Sequence, residues 1–198
     1  MDPYVYPGTN VLRNRRDIRD PDRLAKFEMD MTTARIGELR RNPIAENFDC
    51  HHLQAIHGYI FQDVYPWAGE FRTVNISRSG QFPFAFSHHL PQSLTKLAGD
   101  LEKEHHLANL TRTKFASRAA YYMGELNAIH PFRDGNGRVQ REFIRELAGR
   151  NGYELDWSRV SRSQMIEASK NSFQYGNNSG LDEVLRTALE NERNRHNE

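Results

Sequence analysis

Within the segment His130-Pro-Phe-Arg-Asp-Gly-Asn-Gly-Arg-Val-Gln-Arg141, an imidazole, a carboxylate, a glycine-rich turn and a pair of arginines stand close enough to share one reaction. Pro131 disfavours the helical conformation at the residue before it, so a helix arriving at His130 should end there. A second helix is expected to start near Asn136 or Gly137. Between them, Asp134-Gly135-Asn136-Gly137 tolerates positive φ and can turn successive backbone N–H groups into one concavity. The helix behind it adds the partial positive charge of its N-terminus, and together these make a cradle for phosphates. Arg138 and Arg141 share one helix face and could reach the same polyphosphate, whose oxygens match the guanidinium fork.

Asp134 needs a separate account, because a bare carboxylate repels a phosphate unless a cation lies between them. Mg²⁺ takes few protein carboxylates and completes its shell with phosphate oxygens and water, so Asp134 suggests Mg²⁺. A neutral His130 beside the phosphates could accept the proton of an attacking hydroxyl. The helix end and the phosphates both favour imidazolium there, which the cation and the arginines must offset. Each residue alone also has an ordinary explanation. Asp134 could be a helix N-cap, Gly135 and Gly137 a plain helix connection, and His130 a dipole contact. Their conjunction in one short segment points instead to nucleotide chemistry.

The elements that must hold this segment are mostly helical. Apolar stripes at helical spacing run through Leu24 to Leu39, Leu53 to Val64, Leu90 to Leu101, Phe115 to Leu126 and Val139 to Leu147. Asp49 is a plausible N-cap for the second, and Asn151-Gly152 closes the fifth. Two shorter helices are expected around Ser163–Lys170 and Leu181–Leu189. One region alternates instead: Phe71 to Ser77, then Arg78-Ser79-Gly80, then Phe82 to Phe86, which reads as a hairpin. Pro83 confines its second strand to an edge. A hairpin on a helical protein has little sheet to join, so it is a packed flap or an edge open to another chain.

The 198 residues suffice for one domain with a core. One domain over 1–198 is expected, with an N-terminal arm over 1–20, the flap over 71–86, the motif over 130–141 and a frayed end over 191–198. A net charge near +1 gives no ground for nucleic-acid binding. The single cysteine, Cys50, allows no internal disulfide and fits a reducing compartment. The N-terminus has no Sec-type leader, and no stretch is apolar enough to cross a bilayer, so a cytoplasmic protein without membrane partners is expected, secretion as an effector staying open. The pairs His51-His52, His88-His89 and His105-His106 invite a zinc reading, but no zinc-ligand pattern accompanies them. They read as surface or packing residues, and His57 reads as a satisfied core histidine.

The segment resembles the signature of the Fic family, His-x-Phe-x-[Asp/Glu]-Gly-Asn-Gly-Arg-x-x-Arg, at every fixed position. The likeness extends to Leu53-x-x-Ile56-His57, Tyr65-Pro-Trp67-Ala-Gly69-Glu-Phe-Arg72, Gly124-Glu-Leu-Asn127 and the entry Tyr4 to Asn14. The resemblance implies a mainly α-helical Fic fold, a helical bundle with a β-hairpin flap. It implies AMP transfer from ATP to a Ser, Thr or Tyr hydroxyl, as in a bacterial Fic toxin or effector. His130 would be the base, Phe132 the apolar anchor and Asp134 the Mg²⁺ ligand. Gly135, Asn136 and Gly137 would form the anion cradle, and Arg138 and Arg141 the outer phosphate contacts. The flap residues Arg72, Thr73, Val74, Asn75, Ile76 and Ser77 would bind the target by strand addition.

Many members of that family carry an inhibitory glutamate in [Ser/Thr]-x-x-x-Glu-[Gly/Asn]. Here Ser163 to Glu167 is followed by Ala168, and Ser179 to Glu183 by Val184, so neither completes the pattern. A separate small helical antitoxin supplying that glutamate is therefore expected. Two alternatives stand beside AMP transfer: a Doc-like kinase on the same fold, and a non-catalytic nucleotide-binding module. The intact Gly-Asn-Gly-Arg disfavours the first, and the retained His130 the second.

Overall fold

The computed structural model describes residues 2–45, 47–78 and 82–189. Asp20 opens α1 (Pro21–Arg41) by accepting the Arg23 N–H at 2.8 Å, with Pro21 in the first turn where no N–H is needed. Asp49 does the same for α2 (Cys50–Phe61), accepting from His52 at 2.8 Å. After the short pair β1 (Ser77–Arg78) and β2 (Phe82–Pro83) come α3 (Leu90–Lys103), α4 (Arg112–Ile129) and α5 (Asn136–Arg150). A capping box at Ser161 and Gln164 starts α6 (Arg162–Tyr175), and Gly176 ends it in the left-handed region. The last helix is α7 (Ser179–Ala188).

Helix α4 runs through the middle, and α3, α5, α6 and α7 all pack on it. Phe115, Ala116, Ala119, Ala120, Tyr122 and Met123 are buried along it, a mixture of small and large side chains that lets neighbours approach from several sides. Helix α2 lies against α1 and α5. Its buried ionic neighbourhood binds the three together: His52 Nε2 stands 2.7 Å from Glu146, Arg145 reaches both Glu142 and Glu146, and Arg40 reaches Glu142. The N-terminal arm is packed down as well, with Tyr4, Tyr6, Val11 and Leu12 buried and Tyr4 edge-on to Trp67.

The flap is the expected antiparallel hairpin, with shorter strands than the alternation implies. Among the described residues Ser77–Arg78 pairs with Phe82–Pro83, antiparallel, the Phe84 N–H donates to the Ile76 carbonyl at 3.1 Å, and 71–76 is not a strand. Its alternation is nevertheless real: Thr73, Asn75 and Ser77 are exposed while Arg72, Val74 and Ile76 turn inward. Side-chain bonds stand here in place of a ladder. Arg72 bonds to backbone carbonyls, and Tyr4 Oη accepts the Thr73 N–H. The expected turn at Ser79 and Gly80 and the expected frayed end over 191–198 lie outside the described residues. Among the described residues no helix is long and apolar enough to cross a membrane, and no His, Cys, Asp and Glu group could hold a metal as a three-ligand cluster.

Candidate active site

The motif segment links the end of α4 to the start of α5. His130 is the C-cap of α4, and its backbone is left-handed at φ 50° and ψ 62°. Helix α5 begins at Asn136, after Gly135 at φ +81°. Between them the loop is closed from inside. The Asn136 side chain accepts the Phe132 N–H at 2.9 Å and donates to the Phe132 carbonyl at 2.8 Å. Asn136 is buried, so only its backbone N–H is left for an anion. Neither that N–H nor the N–H of Gly137 has a partner among the described residues. They stand at the positive end of α5, where an anion is favoured.

His57 supports the loop from below. Its Nδ1 accepts the Gly69 N–H at 2.8 Å, which leaves the proton on Nε2, and Nε2–H donates to the Asp134 carbonyl at 3.2 Å. The ring stacks on buried Phe132 at 4.0 Å and on Phe61 at 4.7 Å. Burial pulls the imidazole down to about 3, so it stays neutral across the working range. The unfolded chain takes up a proton near pH 6.5 and the folded chain does not, so folding stability falls as pH drops from 6.5 towards 3. The slope expected from this residue is ~1.4 kcal/mol per pH unit. Denaturant melts at pH 7 and pH 5 check it: His57→Phe keeps the ring stack and should show a pH dependence smaller by one proton. An unchanged slope would show that His57 titrates normally.

Two carboxylates meet above the cradle. Glu28, from α1, accepts from Arg138 and from the Tyr65 hydroxyl, while Arg138 also donates to Thr32 at 3.1 Å and lies 4.6 Å over the Phe61 ring. Asp134 accepts the Gly135 N–H at 2.5 Å, and Arg138 is 3.9 Å from it. Partial burial, of a side chain still 45% exposed, and the neighbouring Glu28 push its carboxyl above the usual range. A carboxylate so destabilised, beside free N–H groups, suits a divalent cation with few protein ligands. Arg141 differs from Arg138. Its guanidinium has no hydrogen bond or ion pair among the described residues and folds back towards Gly137. It borders a hollow of about 430 Å³ lined also by Trp157, Val160, Met165 and Ile166. The two arginines flank the helix start but are held by different surroundings.

The His130 ring has a defined tautomer. Nδ1–H donates to the Asn127 carbonyl at 3.2 Å, so the lone pair is on Nε2. The Phe84 ring covers one face at 3.8 Å and 15°. Burial, with Arg72 and Arg78 nearby, pulls the imidazole down to about 4. The offset that the sequence argument assigned to a cation and arginines comes first from loss of water, with Arg72 and Arg78 adding to it.

A profile of the Fic/DOC family matches residues 47–148, more than half of the chain. The protein adenylyltransferase VbhT of Bartonella schoenbuchensis is 43% identical over 188 residues, covering 95% of this chain and 39% of its own length. The Escherichia coli K12 protein named "Probable protein adenylyltransferase Fic" is 37% identical, covering 85% of this chain and 83% of its own. This chain belongs to the Fic/DOC family. It is also similar in structure to a Bartonella tribocorum effector protein, BepC, solved with bound AMPPNP, at a TM-score of 0.88 and 28% identity over 94% of this chain and 96% of that one. The N-terminal Fic domain of a Bartonella quintana effector, solved with bound ADP, gives 0.90 at 28% identity, covering 94% of each. The chain spans well under half of VbhT, though most of the length of the other three.

Within this Fic fold the structure brings His130, Phe132, Asp134, Gly135, Asn136, Gly137, Arg138 and Arg141 into one region around the α4–α5 junction. The flap residues divide. Thr73, Asn75 and Ser77 are exposed, and the backbone N–H and C=O of Asn75 have no partner among the described residues. Arg72 is a correction: it is 2% exposed and cannot meet a target. Glu28, Tyr65 and Phe84 were not singled out as site residues. Glu28 sits on the polar side of an ordinary amphipathic helix, and no local pattern marks it. The phase of the alternating run, inward at 72, 74 and 76, was the one available sign that Arg72 is buried.

Proposed function

We propose that this Fic chain is a protein adenylyltransferase, moving AMP from ATP to a hydroxyl side chain of a target protein, with His130 as general base. The observation that carries this is the His130 ring: Nδ1–H is engaged by Asn127, so the basic Nε2 is the nitrogen left for an acceptor proton. The relatives named as adenylyltransferases and the nucleotides in similar structures support the same reading.

The N–H groups of Asn136 and Gly137 and the guanidinium of Arg141 bind the phosphate tail, with Arg138 set by Glu28 and Phe61 at its side. Asp134 is the residue that would hold Mg²⁺, which would supply positive charge to the phosphate tail. His130 Nε2 takes the hydroxyl proton as that oxygen attacks the α-phosphorus. The new P–O bond forms as the bond to the β-phosphate oxygen breaks, and pyrophosphate leaves. The residues contribute mainly position and charge complementarity. The exposed edge around Asn75, with Thr73 and Ser77 on either side, receives the target segment by backbone pairing at Asn75.

Incubation with ATP labelled at either the α- or the γ-phosphate, in bacterial and host lysates, tests the reaction. Label on protein from the α-position alone is expected. Label from the γ-position alone would make the chain a kinase.

The regulatory partner is a small helical antitoxin whose glutamate enters the hollow beside Arg141. Arg141 lacks a carboxylate among the described residues, and the hollow is open and partly apolar. Purification with the neighbouring genes should yield a small co-eluting protein whose removal activates transfer. Full activity with no such partner would count against it.

A further inference from the structure

The Arg72 side chain is the least expected feature of the molecule. It is a cation 2% exposed, with no carboxylate partner among the described residues. Burying a charge is costly, and an ion pair is the usual compensation. Here the compensation is four backbone carbonyls. Nε donates to His130 O at 2.8 Å, Nη1 to Val74 O at 2.7 Å, and Nη2 to Ile129 O at 3.2 Å and to Ala85 O. Its own N–H adds a bond to Pro131 O at 2.9 Å.

Those acceptors are not scattered. Ile129 and His130 are the last carbonyls of α4, the negative end of its dipole, which favours a cation. Val74 lies on the incoming limb of the flap and Ala85 on the outgoing limb. Ala85 is also tied by its N–H to Ala128 O at 3.2 Å. Next to Ala85 is Phe84, whose ring covers the His130 imidazole and packs in turn on Phe173 at 4.5 Å. Only a planar, multi-donor group can meet carbonyls in several directions at once, and lysine cannot reproduce that fork.

We propose that Arg72 is a positioning residue for the transfer: by binding the last carbonyls of α4 and both limbs of the flap, it fixes the His130 backbone and ring relative to the edge that presents the acceptor hydroxyl. The left-handed backbone at His130 is thereby held by contacts outside its own helix, which a strained non-glycine residue requires. Base and acceptor site become one rigid unit, and a displacement of about 1 Å between them would cost about a hundredfold in rate.

The kinetic arm of the test rests on the adenylyltransferase reading; the spectroscopic arm does not. Arg72→Lys keeps the charge and loses the fork. Phe84→Leu keeps Arg72 and loses the ring. At saturating ATP, the initial rate of label transfer from α-labelled ATP to lysate acceptors is expected to fall about a hundredfold in the first and about tenfold in the second. Affinity for AMPPNP, measured calorimetrically, is expected to stay within about threefold, because neither side chain touches the cradle. In parallel, the His130 ring proton is followed by NMR. In the wild type it should titrate well below ordinary histidine. It should move up in Phe84→Leu as water gains access, and in Arg72→Met as the nearby charge is removed.

A folded Arg72→Lys that transfers at the wild-type rate overturns the proposal, and so does a fall in rate matched by an equal fall in AMPPNP affinity. Should neither Arg72 variant fold, Phe84→Leu decides: an unchanged rate and an unmoved His130 titration overturn it. If the wild type transfers nothing, the function reading fails, and the His130 titrations still show whether Arg72 and Phe84 hold the imidazole.

Discussion

His130→Ala is expected to lower label transfer from α-labelled ATP by about three orders of magnitude and to leave AMPPNP affinity within about twofold. The separation of the two effects follows from the geometry. His130 is the cap of α4 and, among the described residues, makes no hydrogen bond to the N–H groups at the start of α5. Its removal takes away the proton acceptor and leaves the phosphate cradle standing. The pH dependence belongs to the same group. Because burial depresses the imidazole to about 4, the base form dominates at neutral pH, and kcat/KM for the acceptor should hold level from pH 8 to about pH 5 before falling. A fall centred near 6.5 would mean that the imidazole is solvated and has left the Phe84 stack.

Gly135→Ala is expected to be more damaging overall, because it strikes the cradle and the loop together. Gly135 has φ +81°, where a side chain is strained by about 1–2 kcal/mol, and a Cβ there would overlap the Phe61 ring. Phe61 cannot retreat freely. It is fully buried, stacks on His57 and carries the Arg138 guanidinium on its face. Transfer should fall at least about a hundredfold with AMPPNP affinity falling alongside it, and the melting temperature should drop by several degrees. Gly137→Ala is the control. Its Cβ would meet only the Arg141 Nη1, at 3.4 Å, and Gly137 is exposed. That variant should melt like the wild type while binding AMPPNP more weakly, since the added methyl stands where the phosphates approach. A Gly135→Ala chain with unaltered melting and binding would mean that the loop has another conformation in solution.

The parts of the site that follow from local chemistry were legible in the sequence. Pro131 ends a helix, glycine supplies the left-handed turn, and the stripes of α4 and α5 predict the two helices that meet there. His57 on an apolar stripe was readable as a satisfied core histidine, although its partners, Gly69 and Asp134, were not. What the sequence did not reveal depends on long-range meetings. Glu28 reaches Arg138 across 110 positions, and Arg72 reaches His130 across 58. No periodicity within one element marks either partner. The first strand of the flap is shorter than its alternation implies for the same reason. An alternating run predicts a strand when its partner is another strand, but here the inward Arg72 is held by a helix end and the Thr73 backbone by Tyr4. The direction of the His130 shift also needed the fold, because only the packed Phe84 ring shows how little water reaches the imidazole.

A crystal structure with Mg²⁺ and AMPPNP tests the central claim most directly. It should show the phosphates seated on the N–H groups of Asn136 and Gly137, Arg141 turned onto them, and the Nε2 side of His130 facing the α-phosphorus. A nucleotide bound away from the start of α5, or an imidazole that points away from the phosphate chain, would contradict it.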